Sequence, residues 1–163
     1  GWRSLPALKV SKRTAYTLAV LVVAAFLIRI VNLSRIPIVL SGDEASAGLN
    51  AVEFVEGKTN NIFRVGWYSF PTFYFFIQSV PIGLFGRTTF ALRLASAIAG
   101  ALTVGALYLM VRAMFNQRTS LLSAIFLAAL HYHNHFSRIR LNNFWHGLWF
   151  VVVLGLLWYG LDR

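Results

Sequence analysis

The sequence predicts an all-α integral membrane protein of about four transmembrane helices, with membrane-surface helices in its first outer loop. Three observations carry that reading. First, 58% of the 163 residues are apolar and only 12% are charged, about half the usual charged share. A soluble domain of this size could not place that much apolar surface inside itself, and the mean hydropathy is +0.65. Second, the apolar residues fall in long runs separated by short polar segments. Third, the net charge of +10 is spread between those runs. Membrane topology and anionic headgroups account for such scattered cations, whereas nucleic acid would be the partner of a basic polar chain. No cysteine is present, which excludes a disulfide framework and a thiolate metal site.

Taken in order, Arg3, Lys9, Lys12 and Arg13 precede the first apolar run without an acid among them, which predicts a cytoplasmic N-terminus. Residues 15–33 are long enough to span. A secretory signal peptide is the rival, but no small-x-small cleavage site precedes Arg29 or Arg35. Ser41 followed by Glu44 forms a capping-box pattern that starts a helix at Gly42. Ala45, Leu49, Val52 and Val55 then share one face and Gly57 stops the helix, which reads as amphipathic and lying on the membrane surface. Lys58 to Val65 is a polar connection. The aromatic-rich stretch from Trp67 to Phe85 is interrupted by Pro71, Gln78, Pro81 and Gly83, and reads as a buried or re-entrant helix in preference to a span. Residues 90–111 form a cleaner span. Its Ala97, Ala101 and Gly105 ridge lets another helix approach closely, and further helices, from a C-terminal continuation or other subunits, are expected to cover it. Arg112 and Arg118 bracket a short loop before residues 119–135, which end in the polar His131-Tyr-His-Asn-His135. A loop at 136–143 precedes the last span, 144–161. The whole is one membrane module, 1–163, with 42–86 as the outer-loop helices.

Parity then matters. With four spans, Asp43 and the loop holding Arg138, Arg140 and Asn143 share the outer face; a fifth crossing at 67–85 would separate them. Asp43 and Glu44 are the one adjacent pair of carboxylates, suited either to plain helix capping or to acid–base chemistry. Arg138 and Arg140 suit bidentate phosphate contact, or headgroup anchoring. His131 and His135 share a helix face, but no carboxylate stands nearby in sequence, so metal ligation competes with a polar interfacial cap. No phosphate-binding glycine loop or zinc-protease motif occurs.

In that order, Gly42-Asp43-Glu44-Ala45, then WYSFPTFYFFIQSVPIGLFG (67–86), TTFALRLASAIAGALTV (88–104) and FSRIRLNN (136–143) resemble the N-terminal half of the GT-C membrane glycosyltransferases. The likeness runs from about Ile28 to Leu161 and is to the family 39-like, aminoarabinose-transferase and protein-mannosyltransferase-like group. It implies a multi-pass cell-membrane enzyme that uses a polyprenyl-phosphate sugar at the extracytoplasmic face, with Asp43 and Glu44 catalytic in the first outer loop. Asp43 would deprotonate the acceptor in an inverting displacement. Arg138, with Arg140, would hold the leaving lipid phosphate. The resemblance also admits a divalent metal ion, for which the residues here identify no ligand set. Two departures stand out: Asn142 and Asn143 occupy the stretch where the family often has an Asp, and the later spans that enclose the donor lipid are absent. The chain is therefore expected to be part of a longer one and inactive alone. The competing reading is a non-catalytic subunit packed among membrane lipids and other helices of a larger complex, such as an energy-transducing one. A small transporter would need a buried charge pair or an inverted repeat, and neither is visible.

Overall fold

The computed structural model describes residues 11–140 and 142–161. Arg3 and Lys9 of the basic start, and the side chain of Asn142, lie outside that description. All regular elements among the described residues are helical. Ser11 caps α1 (Lys12–Ile30) by accepting from the Thr14 N–H at 3.1 Å. Next come α2 (Gly42–Val55), a 3₁₀ turn at Trp67–Ser69 and α3 (Thr72–Phe85). The long α4 (Thr89–Met114) is followed by α5 (Gln117–Ala129), α6 (His131–Ser137), a 3₁₀ turn at Asn142–Phe144 and α7 (Trp145–Leu161).

Among the described residues, α1 and α4 are by length and composition the two helices long and apolar enough to cross a membrane. At 14 residues, α3 is about 21 Å long, well short of a hydrocarbon core of about 30 Å. α5, at 13 residues, is shorter still, so helix length alone does not separate the aromatic stretch from the span expected over 119–135.

α4 is the axis of the molecule, packing against α1, α3, α5, α6 and α7. Its small residues decide the distance. A Cβ on Gly105 would lie 2.6 Å from Val22 Cγ2 and 3.1 Å from Leu18 Cδ1, so α1 sits directly on the Ala101/Gly105 stripe. Ala25, Ala101, Val104, Tyr108 and Ala124 form the buried cluster there. In lipid such contacts gain from close packing more than from water exclusion. The expectation that helices from outside this chain cover the ridge is therefore corrected: α1 covers it, because its own Ala25 and Val22 fit the groove that small residues leave.

A second cluster joins α2, α3 and the start of α4 through Ala47, Ala51, Phe75, Ile82, Ala91 and Leu92. The buried face of α2 is Glu44, Ala47, Gly48 and Ala51. The expected Ala45/Leu49/Val52/Val55 face is shifted in phase: Leu49 is 67% exposed and Val55 46%, while Val52 packs against the cluster. Small side chains won over larger ones because α2 lies close on Leu92, whose Cδ1 would touch a Cβ on Gly48 at 3.0 Å. Gly57, at φ +68°, ends this helix region as expected. The helix expected over 119–135 is broken at Leu130, which is extended at φ −60°, ψ 116°. The Asn134 amide donates to Ala128 O at 2.8 Å, so the polar segment folds back on the end of α5 as a separate short helix.

Gly105 and Gly83 separate close packing from open surface. Gly105→Leu should destabilise the folded protein by roughly 1–3 kcal/mol by overpacking. Gly83, with nothing within 4 Å of its Cβ position, should accept Ala with no loss and a gain in helix propensity. Thermal unfolding of the purified protein in detergent measures both, and equal melting of the two variants would contradict the packing account.

Candidate functional site

The Ser41-Gly-Asp-Glu segment starts α2 through a complete capping box. The Glu44 N–H donates to Ser41 Oγ at 3.2 Å, and the Ser41 N–H donates back to Glu44 Oε2 at 3.3 Å. The same carboxylate does more. Its Oε1 accepts from Arg93 Nε at 3.1 Å and from the Arg140 backbone N–H at 2.9 Å, and its Oε2 accepts from Arg93 Nη2 at 3.2 Å. Glu44 is 1% exposed and Arg93 is fully buried. The remaining Arg93 donors go to backbone carbonyls of the segment linking α1 to α2: Leu33 at 3.3 Å, Pro37 at 2.8 Å and Val39 at 3.2 Å. All five guanidinium N–H groups are engaged. Asp43, one residue away, is exposed. The paired carboxylates have thus separated in role: Glu44 is committed to the fold, and Asp43 is free to meet a ligand.

The Glu44–Arg140 bond brings the start of α2 and the loop before α7 to the same end of the bundle, so the segments carrying Asp43/Glu44 and Arg138/Arg140 meet there. The two arginines differ. Arg138 points its guanidinium at carbonyls at and beyond the end of α1, namely Ile28 at 3.2 Å, Val31 at 2.5 Å and Ile36 at 3.3 Å, satisfying acceptors that the helix leaves open. Arg140 is 2% exposed. Its guanidinium carbon lies 4.5 Å from the Tyr74 ring centroid and 5.2 Å from that of Phe75, while its Nε and Nη2 have no hydrogen-bond partner. Burial pushes its pKa down to about 10, against the opposing pull of Tyr74 and Glu44, so it remains a cation at neutral pH. Asn143, three residues further on, is exposed.

Around Arg140 gather further polar groups. The Tyr74 hydroxyl, with Gln78 and Ser96 beside it, makes no hydrogen bond of good geometry, and neither do the Gln78 amide, the Ser96 hydroxyl or the Trp145 indole N–H. Tyr74 and Trp145 meet edge to face at 6.2 Å. Burial pushes the Tyr74 phenol up from its ordinary pKa. Among the described residues, Arg29, Arg93 and Arg140 are fully or almost fully buried cations, and Glu44 is the one such anion. Arg29 is met only by Ala25 O at 2.7 Å and His133 Nδ1 at 2.7 Å.

The histidines do not assemble. His131 and His135 stack at 6.0 Å, and His133 turns to Arg29. No three His, Asp or Glu side chains converge among the described residues. At the candidate site both oxygens of Glu44 are taken, which leaves Asp43 as a lone carboxylate. That is too few to hold a divalent cation without a ligand's own oxygens, and no step below is routed through a metal. Arg93, Tyr74, Gln78 and Ser96 are absent from the candidates read off the sequence. For Arg93 a signal existed: an ionisable residue inside an apolar run is a site candidate by its cost alone, and its pairing with Glu44 is the buried charge pair that the sequence did not reveal.

Residues 69–161 match the family model described as dolichyl-phosphate-mannose-protein mannosyltransferase. No curated protein and no solved structure matches the chain.

Breaking the Glu44–Arg93 pair should be severe. Arg93→Leu leaves a buried carboxylate without its cation, a loss of about 3–5 kcal/mol. Replacing both residues by Leu removes the unpaired charge and should recover part of that loss, short of full recovery because three carbonyls stay without donors. Melting temperatures of the three proteins decide it; an Arg93→Leu variant as stable as the parent would refute the clamp.

Proposed function

The chain belongs to the dolichyl-phosphate-mannose-protein mannosyltransferase family, membrane glycosyltransferases of GT-C type, and on that premise we propose that Asp43 is the base of a polyprenyl-phosphate-sugar-dependent transfer at the extracytoplasmic face. The observation that carries it is the division of labour in the acidic pair. Glu44 is tied to Arg93 and Arg140, and that fixes the first turn of α2 from which exposed Asp43 projects. The Asp43 carboxylate takes the proton of an acceptor hydroxyl or amine as that atom bonds to the anomeric carbon. The bond from that carbon to the phosphate oxygen breaks on the opposite face, which inverts the configuration. The electron pair leaves with the lipid phosphate. Of the two arginines, Arg140 is the better phosphate ligand, because it retains two unpaired donors and charge-assisted contacts stabilise the leaving anion. Arg138 instead orients the end of α1.

The proposed topology is four spans, with a cytoplasmic N-terminus, the 42–86 helices lying on the outer surface, and the whole chain forming one membrane module. The contact between Glu44 and Arg140 supports it, since an odd number of crossings between them would place them on opposite faces. A dolichyl- or other polyprenyl-phosphate sugar is the donor that the family name and the basic Arg140 site favour.

In the full-length protein, Asp43→Asn should lower turnover by about 10²-fold or more, the range of a positioned general base, while expression and melting temperature stay at parental values. Transfer from a polyprenyl-phosphate sugar to acceptor measures it. An Asp43→Asn enzyme with full turnover would reduce the acidic pair to a helix cap and structural clamp.

A further inference from the structure

Next to the Arg140 site, with Phe75 shared between the two, α2 and the segment leading into α3 enclose a pocket of about 290 Å³. Phe54, Trp67 and Phe75 give it aromatic walls, and Glu53, Arg64 and Thr59 give it polar ones. Glu53 and Arg64 are both exposed and enter no ion pair or side-chain hydrogen bond among the described residues. The pocket therefore offers a planar acceptor and a planar donor fork, both unused, next to an indole.

Its wall is built to hold shape. Thr72 Oγ1 donates within reach of both Asn61 O and Arg64 O at 2.8 Å, the Thr72 N–H donates to Arg64 O at 2.9 Å, and the Gly66 N–H donates to Phe70 O at 2.8 Å. The Trp67 N–H reaches back to Asn50 Oδ1 on α2 at 3.3 Å. A Cβ on Gly66 would lie 2.7 Å from Phe75 Cε2, so only glycine lets the segment come this close. Tyr68 and Ser69 sit at φ 54° and 62°, a left-handed conformation that costs of order 1–3 kcal/mol each and is kept where the surroundings over-determine it.

The chemistry selects a ligand class. One carboxylate and one guanidinium cancel in charge, which disfavours a phosphate or an amine alone. Two planar groups capable of bidentate hydrogen bonding suit adjacent hydroxyls, and aromatic walls suit the C–H faces of a ring. The volume lies at the small end of ligand sites. We propose that this pocket is a saccharide subsite that takes a neutral, hexose-sized ring on the acceptor side of the reaction. Asn50 follows Asp43 by seven residues on one helix, about 10.5 Å along its axis, and both lie on the same side of α2. A ring in the pocket thus places the adjoining unit of the acceptor, not itself, at Asp43. That placement rests on Asp43 as the base; the binding of a sugar does not.

The test is saturation-transfer NMR of methyl hexopyranosides with the full-length protein in a sugar-free detergent. The expected result is millimolar binding, weakened about tenfold or more by Glu53→Gln and by Arg64→Gln, each removing a charge-assisted hydrogen bond. Both positions are exposed, so folding should persist, and the melting temperature checks it. Asp43→Asn should bind the sugar as the parent does while losing turnover, which separates this proposal from the assignment of the base. No binding by the parent protein would overturn it. So would equal binding of a ring lacking hydroxyls such as tetrahydropyran, unchanged affinity in both variants, or preference for inorganic phosphate or the zwitterion glycylglycine.

Discussion

The buried ion pair between Glu44 and Arg93 is the interaction on which the rest of the structure depends. A guanidinium inside an apolar helix is costly unless every donor is met. Arg93 meets that condition only by gathering three carbonyls of the 33–39 segment and both oxygens of Glu44. The consequence is geometric. The link between α1 and α2 must curl over the first turns of α4, and the first turn of α2 must lie beside it. The carboxylate then has one acceptor site left for the backbone of Arg140, which draws the last loop to the same place. Four separated parts of the chain converge because one cation has to be satisfied.

That convergence has an electrostatic remainder. Arg93 and Glu44 neutralise each other, while Arg140 contributes a second cation whose nearest compensation is aromatic. Arg29 contributes a third, held one turn further along the same face of α4, where Gly100 leaves room for it. A Cβ there would lie 2.6 Å from Ser137 Cβ and 2.8 Å from Arg29 Nε. Glycine at 100, serine at 96 and arginine at 93 form one stripe on α4, and each element of the stripe accommodates a polar neighbour. A surplus of buried positive charge is unfavourable for a fold alone and favourable for a site that receives an anion. In the reaction proposed above, a lipid phosphate would supply the missing charge.

Much of the fold was legible because its signals are local. Ser41 and Glu44 three residues apart announced a capping box, and Gly57 announced a stop. The length of the run around Ala97 announced a long helix with a packable stripe. The buried face of α2 was not legible, since hydrophobicity favoured Leu49 and Val55 whereas proximity to Leu92 demanded Ala47, Gly48 and Ala51. The break at Leu130 was hidden as well: its cause is the Asn134 side chain returning to Ala128, which no periodicity of apolar residues records. Of the candidate site, Asp43 and Glu44 stood out as a pair, but that Glu44 turns to Arg93 while Asp43 stays exposed could not be read. Adjacent residues on a helix point about 100° apart, so one faces the arginine and the other faces outward, and which is which depends on where α4 lies. Arg93 itself was readable in principle from its cost alone.

α2 is fastened at three levels, and this decides what it can do. Its first turn is held by Arg93, its middle by the contact of Gly48 with Leu92, and its end by the ion pairs of Glu56 with Lys58 and Arg87. Lys58 and Arg87 hold the Glu56 carboxyl below the usual carboxylate range, and Arg87 lies at the corner between α3 and α4. α2 thus meets the rest of the fold at both ends and in the middle, most firmly through the buried Arg93 and Leu92 contacts. Asp43 at one end and the Glu53–Arg64 pocket toward the other are therefore held at a fixed separation, set by helix geometry and not by a loop. If Asp43 is the base, as proposed above, such a fixed separation matters, because a positioned base supplies more rate than one that must search. The contacts that set this separation lie within α2 and its neighbours in the fold.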